Sequence, residues 1–433
     1  MKIFLGAQWE KLRTSYWFIP SVLAVAATAL SFVTVHIDTI VNAKWARATG
    51  WIWAGSPAGA RNVLATIAGS TITVAGVVFS ITIVALALAS SQFGPRLLRN
   101  FMGDRLTQVV LGIFVSTFLY CLLVLRTIRG GTDVTTFVPF LSVTCGLLFA
   151  VSSVGFLIFF IHHISSLILA ENLIARVAAE LEAGIDRLFP DSLGEGEEKE
   201  AGREEAIEEP ASMNEEPHEI RAPKSGFIQA MDAEAVLKLA SEKNMLVRLA
   251  RRPGDFVARG ALLAEVWPKA RAGEELSGEL AGAFYFARQR TPTQDVEYAI
   301  DQLVEVAVRA LSPGINDPFT AMTCIEWLGV ALIRVGDRRM PSRYRRDEEG
   351  ELRVITDVTD FSGLAAACLD QIRQYGCQSV GVTIRLLDML ERVASEISLP
   401  KNREILAAHA RKIRDDGIAL AKNEQDQAEI ARV

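Results

Sequence analysis

Residues 62–96 read NVLATIAGSTITVAGVVFSITIVALALASSQFGPR, and no charge occurs before the final arginine. The hydrocarbon core of a bilayer takes about 20 residues of helix, so a run this apolar is long enough to cross one. Hydroxyls nevertheless recur through it. Thr66, Ser70, Thr73, Val77, Ser80, Val84, Ala87 and Ser91 follow alternating steps of four and three, which place them on one stripe of a helix. Two readings of the stripe stand side by side. Gly69, Thr73, Gly76 and Ser80 have the spacing of small residues that lets helices approach closely, which makes the hydroxyls glue between helices. Alternatively Thr66, Ser70, Thr73 and Ser80 line a polar path in an oligomer, because hydroxyls replace hydration more readily than Leu or Val does.

Three further runs have spanning length, so four membrane helices are expected, at about 16–35, 62–89, 108–125 and 137–161. No Asp, Glu, Lys or Arg lies inside any of these four segments. That argues against a proton relay, a tight ion site and hence a coupled transporter, and leaves a weakly selective pore. The first segment opens with Tyr16 and Trp17, an interfacial anchor, and no small-residue cleavage site follows, so it reads as a retained span. Lys2, Lys11, Arg13, Arg96, Arg99, Arg105 and Arg176 fall on one side of this scheme. Lys44, Arg47, Arg61, Arg126 and Arg129 fall on the other. The bias predicts a multi-pass membrane protein with both termini cytoplasmic.

Gly94-Pro95-Arg96 ends the second segment, since Pro lacks a donor and restricts the residue before it. This stretch reads as a positively charged anchor or as a gating elbow. After the fourth segment the helical periodicity continues to about Phe189 without Pro, which suggests one helix running on into the cytosol. His162 and His163 lie where it leaves the lipid, as interfacial polar residues or as a pH sensor.

The chain of 433 residues is half hydrophobic and carries a net charge of −6, with no basic face for nucleic acid. Its 5 cysteines are scattered, two in apolar runs and three beyond them, which argues against a disulfide framework and for a reducing compartment. The cysteine and histidine spacings provide no zinc site. No metal or other cofactor is expected.

Residues 190–219 carry twelve acids against two bases, the composition of a disordered linker. Beyond it, SGFIQAMD reads as a strand, AEAVLKLASEK as a helix, and MLVRLARRPGDFVARGALLAEVWP as three short strands separated by Pro253-Gly254-Asp255 and Arg259-Gly260 turns. The run PGDFVARGALLAEV resembles the barrel-sandwich shape of biotinyl and lipoyl carrier domains. It has no Met-Lys-Met turn to accept a cofactor, so it is expected to serve packing or assembly.

Thr291-Pro292-Thr293-Gln294 has capping-box spacing with Pro at the first helical position, and Asp317 is the expected N-cap of the next helix. Arg288, Arg290, Asp295, Asn316 and Asp317 gather polar groups near this helix pair. They read either as surface charges on a capped hairpin or as a small-ligand or anion site beside the helix start. No nucleophile, base and orienting group can be assembled, and no P-loop is present, so no enzymatic activity is expected. Further along, SRYRRDEEGELRVIT reads as a hairpin around Glu349-Gly350. Helices follow at about 361–375, 379–395 and 401–422, then a charged, frayed tail.

SSQFGPRLLRNFMGD, FLYCLLVLRTIR, RTPTQDVEYAIDQLVEVAVRALSPGINDPFTA and SGFIQ…RPGDFV together resemble a family of predicted bacterial membrane proteins designated domain of unknown function 2254. The resemblance implies a multi-span protein with a large soluble C-terminal region and brings no established activity.

The expected fold is therefore an integral membrane domain of four helices (1–189), followed by a cytoplasmic α+β region. That region comprises the acidic linker (190–219), a small β-rich barrel-sandwich-like module (220–280), a mostly helical domain with one hairpin (281–425) and a charged tail (426–433). The expected partners are the lipid bilayer, further copies of the chain, and ions or a small ligand. The expected function is an oligomeric pore gated or assembled by its cytoplasmic domain, with a non-conducting scaffold or sensor as the competing class.

Overall fold

The structure is a computed structural model that describes residues 16–40, 55–94, 104–130, 136–167, 169–189, 211–338 and 340–433. The chain divides into two compact units, Met1–Asn172 and Leu173–Val433.

The first unit holds helices α1 (Phe18–Ile40), α2 (Pro57–Phe93), α3 (Arg105–Leu125) and α4 (Phe140–Leu167). Each is long and apolar enough to cross a membrane. Lipid offers backbone groups no partner, so an uncovered apolar segment has to satisfy them within a helix. α2 buries Leu64, Ala68, Thr71, Ala75, Val78 and Thr82, the face opposite the hydroxyl stripe. Leu64 and Ala68 join Tyr120, Cys121 and Val143 in one small core, and Ala75 and Val78 join Phe114 and Phe160 in another. Helices α1 and α3 approach closely at Gly112, where an added Cβ would lie 2.6 Å from Leu23 Cδ1 and 3.1 Å from Pro20 Cα.

Polar contacts brace both ends of this unit. The Tyr120 hydroxyl meets Thr34 Oγ1 at 2.9 Å and donates to the Ser142 carbonyl at 3.1 Å. Asp38 accepts from the Leu141 and Ser142 amides, each at 2.9 Å, and from Ser142 Oγ at 2.6 Å, so α1 caps α4. At the start of α3, Asp104 accepts from the Thr107 amide at 2.9 Å and lies 2.9 Å from His163 Nε2 on α4. The charge-free segments expected from sequence were drawn too short. Asp38 belongs to the last turn of α1 and Arg61 to the start of α2, and both serve as caps or braces.

The continuous helix expected through residue 189 is instead two helices. α4 ends at Leu167 and α5 (Ala170–Leu188) follows. Asn172 Nδ2 donates to the Ser166 carbonyl at 2.8 Å, occupying an acceptor at the end of α4.

The second unit begins within α5. Its strands and helices run β1 (His218–Arg221), β2 (Gly226–Met231), α6 (Ala233–Glu242), β3 (Leu246–Leu249), β4 (Phe256–Val257), β5 (Leu262–Trp267), α7 (Glu274–Gly282) and β6 (Phe284–Ala287). There follow α8 (Val296–Ala310), α9 (Pro318–Gly336), the hairpin β7 (Tyr344–Arg346) and β8 (Leu352–Ile355), α10 (Phe361–Gly376), α11 (Val380–Glu396), α12 (Pro400–Leu420) and α13 (Glu424–Arg432). The strands make a five-stranded sheet in the order β1-β5-β3-β8-β7 and a three-stranded sheet β4-β2-β6. Every pairing is antiparallel except β3 with β8.

Ile220, Ile228, Val236, Val247, Leu263 and Phe284 form a core shared by both sheets and α6. Both sheets are open, so the expected barrel-sandwich shape is not confirmed. Its strands are there, but the hairpin β7–β8, some eighty residues further on, extends the sheet through β3.

Three other differences follow from contacts that the sequence does not display. Residues 211–219, expected within the disordered linker, hold a 3-10 turn and the start of β1. Trp267 Nε1 donates to the Glu215 carbonyl at 2.9 Å, and Lys269 pairs with Glu216. The tail forms α13, with Asn423 accepting from the Asp426 amide and Ile430 fully buried. Finally, α9 is a fifth helix long and apolar enough to span, where four were expected. Glu326 on α9 pairs with Arg385 and Arg392 of α11, and Arg334 pairs with Glu182 and Asp186 of α5. The guanidiniums of Arg334 and Arg338 hold the Asp186 carboxyl down to about 2.

Removing the Asp38 cap should loosen the first unit. Asp38→Ala is expected to lower the thermal midpoint of the full chain in detergent, by the roughly 1 kcal/mol that a lost N-cap costs. Asp38→Asn, which keeps an acceptor, should lose less. Equal midpoints for wild type and Asp38→Ala would show that the cap contributes nothing.

Candidate functional site

The start of α8 is the most heavily braced point of the second unit. Its N-cap is Asp295, whose Oδ1 accepts from the Tyr298 amide at 3.1 Å. The capping box expected from Thr291 to Gln294 therefore falls four residues too early. Gln294 turns instead to β2, accepting from the Met231 amide at 2.8 Å and donating to the Met231 carbonyl at 3.1 Å. Its amide copies the pattern of a strand partner, which outweighs a local cap.

Asp295 is buried and receives Arg290 bidentately, from Nε at 2.7 Å and Nη2 at 3.0 Å. Arg290 Nη1 reaches Asp301 at 2.5 Å, and the guanidinium lies 5.6 Å from the centre of the Tyr298 ring. Burial pushes the Asp295 carboxyl upward, against the pull of Arg290 and the Tyr298 amide. Gly254 completes the fit. Its φ of +101° suits glycine, and an added Cβ would lie 2.6 Å from Asp295 Oδ2.

Beside this point opens a cavity of about 830 Å³. Met231, Val236, Leu237, Leu249, Met340 and Val354 make it mostly apolar, while Asp295, Glu297, Arg252 and Thr359 converge at one end. Arg252 Nη2 donates to both Glu297 oxygens, at 2.9 and 3.1 Å. Thr359 Oγ1 donates to Glu297 Oε1 at 2.6 Å and accepts from Arg252 Nη1, which closes a three-membered ring of polar groups. Exposed Glu234, Arg345 and Asp357 also line the cavity. A volume in this range with apolar walls and a few convergent polar groups is the ordinary form of a small-molecule site.

The structure brings only part of the sequence-derived cluster together. Asp295 lines the cavity and Arg290 holds it from behind, whereas Arg288 is exposed. Asn316 and Asp317 lie at the far end of α8, about 22 Å away by helix rise. Asn316 has a φ of 50°, and Asp317 caps α9 through the Thr320 amide at 3.1 Å and hydroxyl at 2.6 Å. Arg252, Glu297 and Thr359 were missed because they lie far apart in sequence. The only local signal was the Pro253-Gly254-Asp255 turn.

In the first unit Thr66, Ser70, Thr73 and Ser80 all lie on the exposed face of α2. Each hydroxyl donates to a carbonyl of its own helix, at 2.7, 3.0, 2.8 and 2.9 Å. Among the described residues of one chain they neither pack helices nor line an enclosed path. Gly94 ends α2 with a φ of 102°, while Pro95 and Arg96 lie outside the described residues. The cysteines of the second unit are buried, and burial pushes the Cys377 thiol up to about 11.

Gly254→Ala tests the fit against Asp295. It is expected to cost about 1–3 kcal/mol more than Gly260→Ala in denaturant unfolding. Gly260 also has a positive φ, of +83°, but an added Cβ there meets nothing within 4 Å. Equal losses would show that the carboxylate yields freely.

Uncharacterised proteins of Mycobacterium bovis and of two strains of Mycobacterium tuberculosis are 31–32% identical to the chain over 402 residues, covering 91% of it and 74% of each relative. No solved structure matches. Residues 13–392 match the family described as "Predicted membrane protein (DUF2254)", and the chain belongs to that family.

Proposed function

We propose that this chain is a membrane-anchored binding protein, whose α+β unit takes an amphipathic small molecule in the cavity at the start of α8. The single observation that carries this reading is the cavity of about 830 Å³, apolar over most of its wall and closed at one end by Arg252, Glu297 and Thr359. Its charge suggests the ligand class. Arg252 is matched by Glu297 and Asp295 by Arg290, which leaves Glu234 and Asp357 against Arg345. The surplus is acidic, so an apolar molecule with a neutral or cationic head fits better than an anion.

Four spans, α1 to α4, anchor the protein in the inner membrane with both termini cytoplasmic. In this reading α9 is a helix of the cytoplasmic domain, because its Glu326 and Arg334 are ion-paired with extramembrane partners, an expensive arrangement in lipid. The activity is binding, with no turnover.

The test uses the full-length protein in detergent with two probes of matched size, phenylbutylamine and phenylbutyrate. The amine is expected to raise the thermal midpoint more than the acid does. Ala233→Trp, at an exposed position of the cavity lining, should abolish the shift. No shift with either probe, or a shift that survives Ala233→Trp, overturns the reading.

A second reading, an oligomeric pore, is favoured by the exposed hydroxyl stripe of α2, which further copies of the chain would turn inward. Ser70→Leu and Ser80→Leu should then block ion flux in liposomes, and the alanine variants should pass it. Unchanged flux in all four sinks it.

A further inference from the structure

The first unit contains a pocket of its own, of about 520 Å³, at the ends of α1 and α3. Ser31, Phe32, Val35 and Thr39 of α1 line one side. Leu123, Arg126, Thr127, Arg129 and Phe137 line the other. α1 has 23 residues and α3 has 21. At about 1.5 Å per residue both match the ~30 Å hydrocarbon core, so residues just past the end of α3 lie at the level of lipid headgroups.

The loop that carries the two arginines is built and held. The last carbonyls of α3 are already occupied: Arg126 N donates to the Leu122 carbonyl, and the Thr127 amide and hydroxyl both donate to the Val124 carbonyl. Buried Ile128 fixes the loop to the core, and Arg61 Nη2 on α2 donates to the Ile128 carbonyl at 2.8 Å. Arg129 and Phe137 exchange two backbone hydrogen bonds of 3.1 Å, which bring the Phe137 ring to the pocket wall.

What this scaffold presents, among the described residues, is positive charge without a protein counter-charge. Among the described residues, neither the Arg126 nor the Arg129 side chain has an ion-pair or hydrogen-bond partner, and both are exposed. The neighbouring acid, Asp38, is consumed by three donors at the start of α4. Two free guanidiniums beside an apolar slot of Phe32, Val35, Leu123 and Phe137 are complementary to a phosphate with a hydrocarbon tail. Arginine forks match phosphate oxygens bidentately.

We infer that this pocket is a binding site for an anionic phospholipid, with Arg126 and Arg129 on the headgroup phosphate and the acyl chain laid along Phe32, Val35, Leu123 and Phe137. The site is independent of the ligand reading of the α+β unit. It differs from generic attraction of basic loops to a membrane in being a pocket with two defined phosphate ligands.

Native mass spectrometry of the delipidated full-length protein tests it, with phosphatidylglycerol and phosphatidylcholine of identical chains as probes. Wild type is expected to retain phosphatidylglycerol about tenfold more than phosphatidylcholine. The double variant Arg126→Gln, Arg129→Gln should bind the two lipids nearly equally, while Arg126→Lys, Arg129→Lys should keep most of the preference. Both positions are exposed, so unchanged thermal midpoints should confirm that the variants fold. Equal preference in wild type and the glutamine variant overturns the site. Displacement of phosphatidylglycerol by millimolar inorganic phosphate identifies the free anion as the ligand and overturns the lipid assignment.

Discussion

The cavity of the α+β unit depends on one buried carboxylate. Asp295 ends the approach to α8, takes both arms of Arg290, caps the helix at Tyr298 and leaves room for the backbone at Gly254 and no more. A buried carboxylate is tolerable only when its charge and lone pairs are answered, and here a guanidinium and a helix amide answer them together. Because Asp295 sets the first turn of α8, it also sets the position of Glu297, two residues on, and through Glu297 the positions of Arg252 and Thr359. The cavity wall and the helix start are a single piece of construction.

The membrane unit solves a different problem with similar means. Helices in lipid gain little from apolar contact with one another, so close approach and a few internal polar bonds carry more of the weight. Gly112 allows α1 and α3 to touch, Tyr120 ties Thr34 to Ser142, and Asp38 and Asp104 each cap a helix. Among the described residues, Thr66, Ser70, Thr73 and Ser80 of α2 take no part in this. Each of these four hydroxyls bonds back to its own helix and lies on an exposed face. An open face of this kind is what a neighbouring copy or lipid has to cover.

Much of the local structure was legible. The apolar runs marked α1 to α4, and Asp317 before Pro318 marked the cap of α9. The turns at Gly254, Gly260 and Gly350 marked strand ends, and each proved to have a positive φ. The misreadings share a cause, a non-local partner that outweighed a local signal. Gln294 looked like a capping-box residue and instead pairs with Met231, sixty-three positions away. Asp38 fell just outside the first segment until its three donors near residue 141 showed what it does. The tail looked frayed until Ile430 found a buried place.

Sequence alone determined that this chain belongs in a membrane, where its long apolar helices lie, and that a separate α+β region follows. Length, hydropathy and turn chemistry are local properties, and the physics that reads them is local too. Tertiary structure decided the rest. It joined β8 to β3, opened the sheets, gathered Arg252, Glu297 and Thr359 around a cavity, and left Arg126 and Arg129 without a counter-charge among the described residues. A site of this kind is a coincidence in space between residues distant along the chain, and no periodicity records it.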